Sequence, residues 1–256
     1  CSMPQDANLY YTLGGGGEVA YSGTPVPFNA NQLPMTVTAV ARHNDYTQSE
    51  TASLELKNGD GTPEDPYLIY SASDFANFIT NVNNGTTASA CYKLGSDVSA
   101  SGTTAITNSF SGTFDGNGYT ISNLGNALFN SVNGGTVKNV ILDAVSISGG
   151  TNAGAIANKL TGTSSKMGSI YNCGVLSGSI SGSGYVGSIV GQLGDTDDTN
   201  NCNARVINCY SYATVDGGSD VGGIVGYNCF ATTAANIRTM VMNCMFYGDI
   251  TSGTNV

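Results

Sequence analysis

The chain has 256 residues, enough for one large domain or two modest ones, and its formal net charge is −10. Charged residues make up only 10%, and the eight Lys and Arg are scattered singly, so no basic stripe exists that could bind nucleic acid. The 35 glycines and the 40% of apolar residues, which recur in register, indicate a β-rich fold with frequent turns and argue against disorder or a helical protein.

Residues 1–56 are predicted to form a separate β module. Apolar and polar residues alternate with a period close to two in three segments, as they do in half-buried strands. The glycines at 14–17 and the stretch 22–25 supply turn signals between these segments. The predicted strands are residues 8–13, 35–41 and 51–56.

This module resembles the small immunoglobulin-like module of the chitobiase/β-hexosaminidase C-terminal type. The resemblance is carried by Cys1-Ser2, Leu9–Thr12, Ser22–Pro25, Thr36–Val40 and Asp45–Glu50, while four glycines replace the usual turn of that family. It implies an incomplete Ig-like β-sandwich with an earlier strand ahead of Cys1. Cys1 also has a second interpretation, as the lipid-bearing first residue of a mature bacterial lipoprotein, and the sequence leaves both open.

Residues 57–66 are the predicted linker, because they are polar, contain Gly and Pro, and show no periodicity. A helix is predicted soon after, with Ser71 as N-cap and Asp74 completing a capping box. Its apolar stripe has the spacing of one helix face and consists of Phe75, Phe78, Ile79 and Val82. We expect this helix to cover the first open end of the stacked strands that follow.

Residues 67–256 are predicted to be repetitive. An Asn recurs about every 35 residues, at Asn139, Asn172, Asn208 and Asn243, a period typical of stacked supersecondary units. Small-residue boxes such as Val221–Gly226 accompany it, and the pattern predicts three short strands in each repeat. The surplus residues are predicted to form loops that line up on one side of the stack, at 160–169, 192–204 and 227–239.

The repeats resemble those of right-handed β-helix surface proteins of bacteria, of the Bacteroidetes type, which carry GLUG repeats. The resemblance covers about residues 57–256 and is carried by Gly61–Leu68, Ser73–Phe75, Phe110–Tyr119, Leu128-Phe129 and the Gly-Ile-Val-Gly boxes. Ala155 and Ser188 depart from the glycine of the box. The predicted fold is therefore all-β: a small, incomplete Ig-like β-sandwich module followed by a right-handed parallel β-helix with an N-terminal capping helix.

The seven cysteines are an odd number, which excludes a complete disulfide framework. Cys173, Cys209 and Cys244 hold equivalent positions in successive repeats, where side chains stack about 4.8 Å apart, and we expect a ladder of free, buried thiols. Cys202 and Cys229 fall in the loops and form a possible disulfide, with free thiols as the alternative. Cys91 is expected in the core.

No catalytic residue set is predicted. His43, the single His, lies in a turn and lacks a nucleophile or metal partner, so we expect a surface turn residue. Carboxylates of the kind used by β-helix lyases and hydrolases occur at turns or strand ends without a basic partner at a suitable spacing. We interpret them as turn formers: Asp115, Asp143, Asp216, Asp220 and Asp249.

Two binding hypotheses remain beside this interpretation. Residues 195–200 have oxygen ligands at alternate positions but lack the central Gly and distal Glu of a twelve-residue Ca²⁺ loop, so a solvated acidic loop is favoured over a metal site. Exposed tyrosines could stack on sugars, although tyrosines in strands more often pack beside a core. The tyrosines in question are Tyr10, Tyr11, Tyr210, Tyr212 and Tyr227.

The leading hypothesis is a non-catalytic cell-surface or secreted bacterial scaffold for adhesion or binding, with neither a cofactor nor a metal. Its partner would be a host protein, a matrix protein or a glycan, and no apolar run is long enough to span a membrane. Candidate contact residues on the aligned loops are Asp195, Asp197, Asp198 and Phe230. The alternatives are an accessory segment of a larger polysaccharide-degrading enzyme or surface peptidase, and a carbohydrate-binding module.

Overall fold

The structure is a computed structural model that describes residues 7–24, 26, 35–45, 47–56, 58–195, 202–229, 238–251 and 254–255. Backbone contacts divide the chain into two units, Cys1–Asp60 and Gly61–Val256. The division falls inside the segment 57–66 that the sequence marks as a linker. Cys1, for which two interpretations were open, lies outside the described residues.

The first unit contains a four-stranded antiparallel sheet with the order β2-β1-β3-β4. The three segments with alternating polarity do form strands, and a short fourth strand, β2, joins them. Met35 and Val40 are its buried apolar side chains among the described residues. An Ig-like sandwich remains a prediction. The strands are β1 (Asn8–Leu13), β2 (Val19–Ala20), β3 (Met35–Arg42) and β4 (Ala52–Leu56).

The second unit consists of short strands and a single helix among the described residues, which confirms the all-β class. Its first elements are β5 (Tyr67–Ile69), α1 (Ala72–Asn83), β6 (Cys91–Leu94), β7 (Val98–Ser99), β8 (Ser109–Phe110), β9 (Thr113–Asp115), β10 (Thr120–Ser122), β11 (Phe129–Asn133), β12 (Thr136–Lys138), β13 (Ile141–Asp143), β14 (Val145–Ser148), β15 (Asn152–Ala153) and β16 (Ala157–Thr161). They are followed by β17 (Gly168–Tyr171), β18 (Gly174–Val175), β19 (Gly178–Ser181), β20 (Tyr185–Gly187), β21 (Val190–Leu193), β22 (Ala204–Ile207), β23 (Tyr210–Ser211), β24 (Thr214–Asp216), β25 (Asp220–Gly222), β26 (Val225–Asn228), β27 (Thr239–Met242) and β28 (Met245–Phe246).

These strands form five parallel sheets, because each winding of the chain repeats the path of the one before it. Sheet 1 has the order β27-β22-β17-β12-β9-β6-β5, and sheet 2 the order β28-β23-β18-β13-β10-β7. Sheet 3 is β14-β19-β24, sheet 4 is β15-β20-β25, and sheet 5 is β26-β21-β16-β11-β8. The pairing keeps like residues in register: Val137, for example, pairs with Phe114 on one side and Ile170 on the other. All three are fully buried, so the core consists of columns of apolar side chains.

Helix α1 packs on the apolar side chains of the first windings, as its amphipathic sequence predicts. Ser71 is the N-cap and accepts a hydrogen bond from the Asp74 backbone N–H, while the Asp74 carboxylate accepts one from Ser71 Oγ at 2.8 Å. The Phe78 ring lies 4.6 Å from that of Tyr92 and 5.1 Å from that of Phe114. The whole predicted stripe is buried, and each of its side chains contributes about 1.5–3 kcal/mol.

The repeats contain five short strands where the sequence pattern predicted three, and that prediction was wrong. The apolar stretch 206–212 does not form one strand, because Asn208 has φ 53° and divides it into β22 and β23. The small-residue box 221–225 is likewise divided, between β25 and β26. Asn is among the residues that adopt a left-handed backbone at low cost, so a single Asn can turn a corner inside an apolar stretch.

Glycines of the small-residue boxes allow sheets 4 and 5 to approach each other closely. A Cβ on Gly187 would lie 2.3 Å from Val190 O and 2.5 Å from Gly226 N, distances that real Cβ atoms do not reach. The close approach brings side chains of the two sheets together. Asn152 Nδ2 donates to Gln192 Oε1 at 2.8 Å, and the rings of Tyr185 and Tyr227 stack 4.4 Å apart.

Candidate binding surface

The connections from sheet 5 to sheet 1 form the surface that the sequence proposes for binding. They comprise residues 162–167, 194–203 and 229–238, and the described ends of all three lie between the same two sheets. The corresponding connection in the preceding winding is Gly134-Gly135. The sequence therefore located the long loops correctly, to within about two residues at each end. We call these three connections the loop face.

The described parts of the loop face are tied to each other and to sheet 5. Lys159 Nζ forms an ion pair with Asp195 Oδ2 at 3.0 Å. Asn203 Nδ2 donates to Thr163 O at 2.9 Å, which joins the first loop to the second. These contacts join the described bases of the loops to sheet 5 and to each other.

Of the four candidate contact residues, only Asp195 belongs to the described part of the chain. The Asp195 carboxylate is paired with Lys159, so it is less suited to binding a cation. The interpretation of residues 195–200 as an acidic loop remains a prediction. Asp197, Asp198 and Phe230 lie outside the described residues. No group of three His, Cys, Asp or Glu side chains that could hold a metal ion occurs among the described residues.

Cys202 and Cys229 lie side by side at the base of the loop face. Their Sγ atoms are 3.2 Å apart, and Asp195 O lies 3.4 Å from Cys202 Sγ and 3.0 Å from Cys229 Sγ. Both residues are buried, with exposures of 0% and 6%, and they form a small apolar cluster with Tyr227 that is separate from the main core. Burial and the neighbouring Cys202 thiol raise the pKa of Cys229 to about 12.

The three repeat cysteines form the predicted interior column. Each Sγ donates weakly to the carbonyl oxygen two residues earlier at 3.3 Å, as Cys173 does to Tyr171 O. The hydrogen bond with Cys173, with burial, raises the pKa of Cys209 to about 12, and Cys209 and burial raise the pKa of Cys244. Two expectations were wrong: Cys91 and Cys244 are only half-buried, Cys244 because it lies in the last described winding.

A ladder of asparagine side chains follows the corner between sheets 1 and 2. Asn172 Nδ2 donates to Asn139 Oδ1 at 3.3 Å, and Asn208 and Asn243 continue the series at 3.2 Å and 3.3 Å. All four residues have φ between 52° and 55°. Asp115 begins the ladder, since its Oδ1 accepts from Asn139 Nδ2 at 2.9 Å.

Asp115 is a structural group, in line with its interpretation as a turn former. Its carboxylate also accepts from the Asn117 backbone N–H at 2.9 Å and pairs with Lys138 Nζ at 3.2 Å. Burial alone would raise the pKa of Asp115. The hydrogen bonds from Asn139 and Asn117, together with Lys138, outweigh that effect and lower it.

Replacing Asp115 with Asn should remove part of the acid sensitivity of the second unit. Because the pKa of Asp115 is lower in the folded chain than in the unfolded chain, its carboxylate stabilises the fold above the ordinary pKa of about 3.9, and this contribution is lost as pH falls through the lowered value. In urea unfolding at pH 7, we expect Asp115→Asn to be less stable by roughly 0.5–1 kcal/mol, mainly through the lost ion pair. The difference should shrink as the pH falls below about 3.9. The exposed Glu64→Gln serves as the control, and a difference that grows in acid would contradict the prediction.

Three of the other carboxylates and the single His also have structural partners. Asp143 Oδ1 accepts from Ser177 Oγ at 2.6 Å, and Asp216 Oδ1 accepts from Thr251 Oγ1 at 2.8 Å. Asp220 Oδ1 accepts from Asn255 Nδ2 at 3.1 Å. His43 Nδ1 accepts from the Asp45 backbone N–H at 3.0 Å, as expected for a turn residue.

The tyrosines proposed for sugar stacking differ in their surroundings. Tyr10 lies under the Arg42 guanidinium, 5.3 Å from ring centroid to Cζ, and Tyr227 is stacked on Tyr185. Tyr212 and Tyr247, which directly follow β23 and β28, are exposed neighbours with ring centroids 6.0 Å apart. Only this last pair resembles an open aromatic platform.

A shallow, open pocket of about 190 Å³ lies where sheets 3 and 4 begin. Ile106, Ala127 and Ile147 form its apolar part, and the Asn130 and Asn158 side chains line its rim. Asn158 Nδ2 donates to Asn130 Oδ1 at 3.2 Å, so part of the polar capacity is already used. The sequence pattern gave no signal for this pocket, which arises because the earlier windings lack sheets 3 and 4.

Comparison with known proteins connects the second unit to bacterial peptidases. The family described as the M26 IgA1-specific metallo-endopeptidase N-terminal region matches residues 69–174. A crystal structure of a candidate immunoglobulin A1 protease from Bacteroides ovatus has a TM-score of 0.56 and 22% identity, covering 76% of this chain and 69% of that one. This likeness shows a shared fold.

Halomucin of Haloquadratum walsbyi is 32% identical over 181 residues, which represent 59% of this chain. The chain spans 2% of the length of halomucin. Among the described residues, no helix is long and apolar enough to cross a membrane. The GLUG repeats and the chitobiase-type module remain predictions from the sequence.

Proposed function

We propose that this chain is a non-catalytic binding segment of a larger bacterial protein located at the cell surface or outside the cell. In this proposal the second unit is a right-handed parallel β-helix, and the loop face contacts a macromolecular partner. The observation that carries the proposal is that all three long connections leave sheet 5 and enter sheet 1 of a unit whose core is predominantly apolar. Such a core is rigid, whereas loops at its surface can differ without disturbing it.

The comparisons favour one setting for this segment, the N-terminal region of a surface peptidase. The family match concerns, by its own description, an N-terminal region of metallo-endopeptidases, and the Bacteroides ovatus neighbour shares the fold. The segment would hold a protein substrate or the cell surface while chemistry takes place elsewhere. The carboxylates of Asp115 and Asp143 accept hydrogen bonds from neighbouring side chains of the unit, which supports the non-catalytic part of the proposal.

The proposal is tested by binding and cleavage assays with the full chain. Immobilised chain is exposed to immunoglobulin A1, to other immunoglobulins and to extracellular-matrix proteins, and the same mixtures are examined for proteolysis. We expect saturable binding to at least one protein and intact partners after prolonged incubation. Cleavage by the purified chain would overturn the non-catalytic role.

A pair of variants assigns binding to the loop face. Asp197→Ser with Asp198→Ser removes two acidic groups from the second loop, and we expect it to weaken binding at least tenfold, or about 1.4 kcal/mol. Glu64→Ser with Asp65→Ser removes two exposed acidic groups elsewhere and should leave binding unchanged. Equal effects of the two pairs would contradict the loop face as the contact surface.

A carbohydrate-binding role is the second candidate, and the exposed pair Tyr212 and Tyr247 is the observation that favours it. Aromatic rings stack on the apolar faces of sugars. Binding to glycans that depends on Tyr212 and Tyr247, and not on Asp197 and Asp198, would replace the loop-face proposal by this one.

A further inference from the structure

The Cys202 and Cys229 thiols occupy a site shaped around them. Gly194 lies against both, with φ +84°, and a Cβ at this position would come within 2.8 Å of Cys229 Cβ and 3.3 Å of Cys202 Sγ. A side chain on residue 194 would therefore displace the thiols. Thr239 Oγ1 donates to Cys229 O at 2.6 Å, and this hydrogen bond holds the backbone of Cys229 in place.

The two cysteines differ from the interior column in how their side chains meet. Cys202 precedes β22 and Cys229 follows β26, so they reach the same point from the start of one strand and the end of another. Their Sγ atoms approach to 3.2 Å and converge on Asp195 O. Cys173 and Cys209 are neighbouring thiols at equivalent positions of stacked windings, where side chains run parallel, and each Sγ lies 3.3 Å from its own carbonyl oxygen instead of converging on a shared one.

We propose that Cys202 and Cys229 form a disulfide bond that fastens the second loop of the loop face to the third, while Cys173 and Cys209 remain reduced. The closed loop would contain the stretch between two cysteines 27 residues apart. A disulfide of this kind belongs to an oxidising compartment, outside the cytoplasm.

The reaction is a thiol–disulfide exchange with an oxidised dithiol or glutathione disulfide. One cysteine thiolate attacks the oxidant and forms a mixed disulfide, releasing a thiol. The second thiolate then attacks the protein sulfur of that bond and releases the other thiol. The two cysteines lose two electrons and two protons, and the oxidant is reduced to two thiols.

In this proposal the exchange takes place during folding, before the two thiols become buried. In the folded chain both sulfurs are buried, which limits access of an oxidant. An oxidant that reaches the thiols during folding meets no such barrier, and the finished fold then protects the bond from reductants. The proposal does not depend on the proposed function, since a chain that binds no partner could still carry this bond.

The test uses the full chain, reduced and unfolded in denaturant, then refolded in a mixture of reduced and oxidised glutathione. Free thiols are blocked with N-ethylmaleimide, and the chain is digested without reduction by trypsin and an Asp-specific protease. The combination separates three cysteines, placing Cys202 in residues 198–205, Cys209 in 206–215 and Cys229 in 220–238. We expect peptide 198–205 linked to 220–238, with two hydrogens fewer than the separate peptides, and Cys209 alkylated.

Two outcomes of this digest would overturn the proposal. One is recovery of Cys202 and Cys229 both alkylated, and the other is either of them linked to a different cysteine. Thermal unfolding supplies a second measurement: reduction should lower the Tm of the oxidised chain by on the order of 10 °C. Cys91→Ser should keep this shift, and the double variant Cys202→Ala with Cys229→Ala should lose it. A full shift in the double variant would also overturn the proposal.

Discussion

Replacing Gly187 with alanine should destabilise the second unit by about 3 kcal/mol or more. The added Cβ would lie 2.3 Å from Val190 O, 2.5 Å from Gly226 N and 2.8 Å from Ile224 O. All three are backbone atoms, so no side-chain rotation can relieve the clash, and sheets 4 and 5 would have to separate. Urea unfolding followed by circular dichroism measures the loss.

Gly150 provides the matched control for this substitution. A Cβ at Gly150 has no atom within 4 Å, although the residue lies in the preceding winding, between β14 and β15. Gly150→Ala should therefore change the unfolding free energy by less than about 0.5 kcal/mol. Similar stability of the two variants would show that sheets 4 and 5 can separate at little cost.

Replacing Phe78 with alanine should cost about 3–5 kcal/mol, because a fully buried aromatic side chain is removed and a cavity remains. Phe78 is 2% exposed and its ring contacts those of Tyr92, Phe114 and Phe129. These rings belong to the first windings, so helix α1 would lose its main attachment to them. Hydrogen exchange should show faster exchange of helix amides in addition to the lower unfolding free energy.

Asn77→Ala is the control within the same helix, since Asn77 is exposed. It should be neutral or slightly stabilising, because Ala has the higher helix propensity. If Phe78→Ala were as mild as Asn77→Ala, the helix would not serve as a cover for the windings.

Features that follow from local sequence periodicity were predicted well. The capping box of Ser71 and Asp74 and the stripe around Phe78 locate helix α1, because both depend on residues within two turns of each other. The positions of the long loops also followed from the sequence, since the period exceeded the length that short strands and turns need. Local spacing thus sufficed for the elements and their order.

Features that depend on contacts between windings were not predicted. The sequence aligned Asn172 and Asn208 as repeat anchors without indicating that their side chains bond to each other. The stacked pair Tyr185 and Tyr227 and the amide pair Asn152 and Gln192 depend on how sheet 4 lies against sheet 5. A regular Asn at each corner is the one signal that could have revealed the ladder, because Asn combines a left-handed backbone with a donor and an acceptor in one side chain.

The candidate site was predicted least completely. The sequence placed Cys202 and Cys229 in neighbouring loops, but their approach to 3.2 Å depends on Gly194, which carries no sequence signal for a thiol pair. The acidic residues Asp197 and Asp198 remain candidates from the sequence. Loop conformations depend on few local rules, which limits what spacing can predict about them.

The asparagine ladder has a consequence for how proteins of this design can change in length. Each corner asparagine presents the same amide donor and acceptor to its neighbours. A whole winding could therefore be gained or lost by gene duplication or deletion, and the windings on either side of the change would still form hydrogen bonds with each other. Such events would alter the distance between whatever lies at the two ends, in steps of one strand spacing, about 4.8 Å each. The length of the molecule could therefore change during evolution while the contact surface on its side stayed the same.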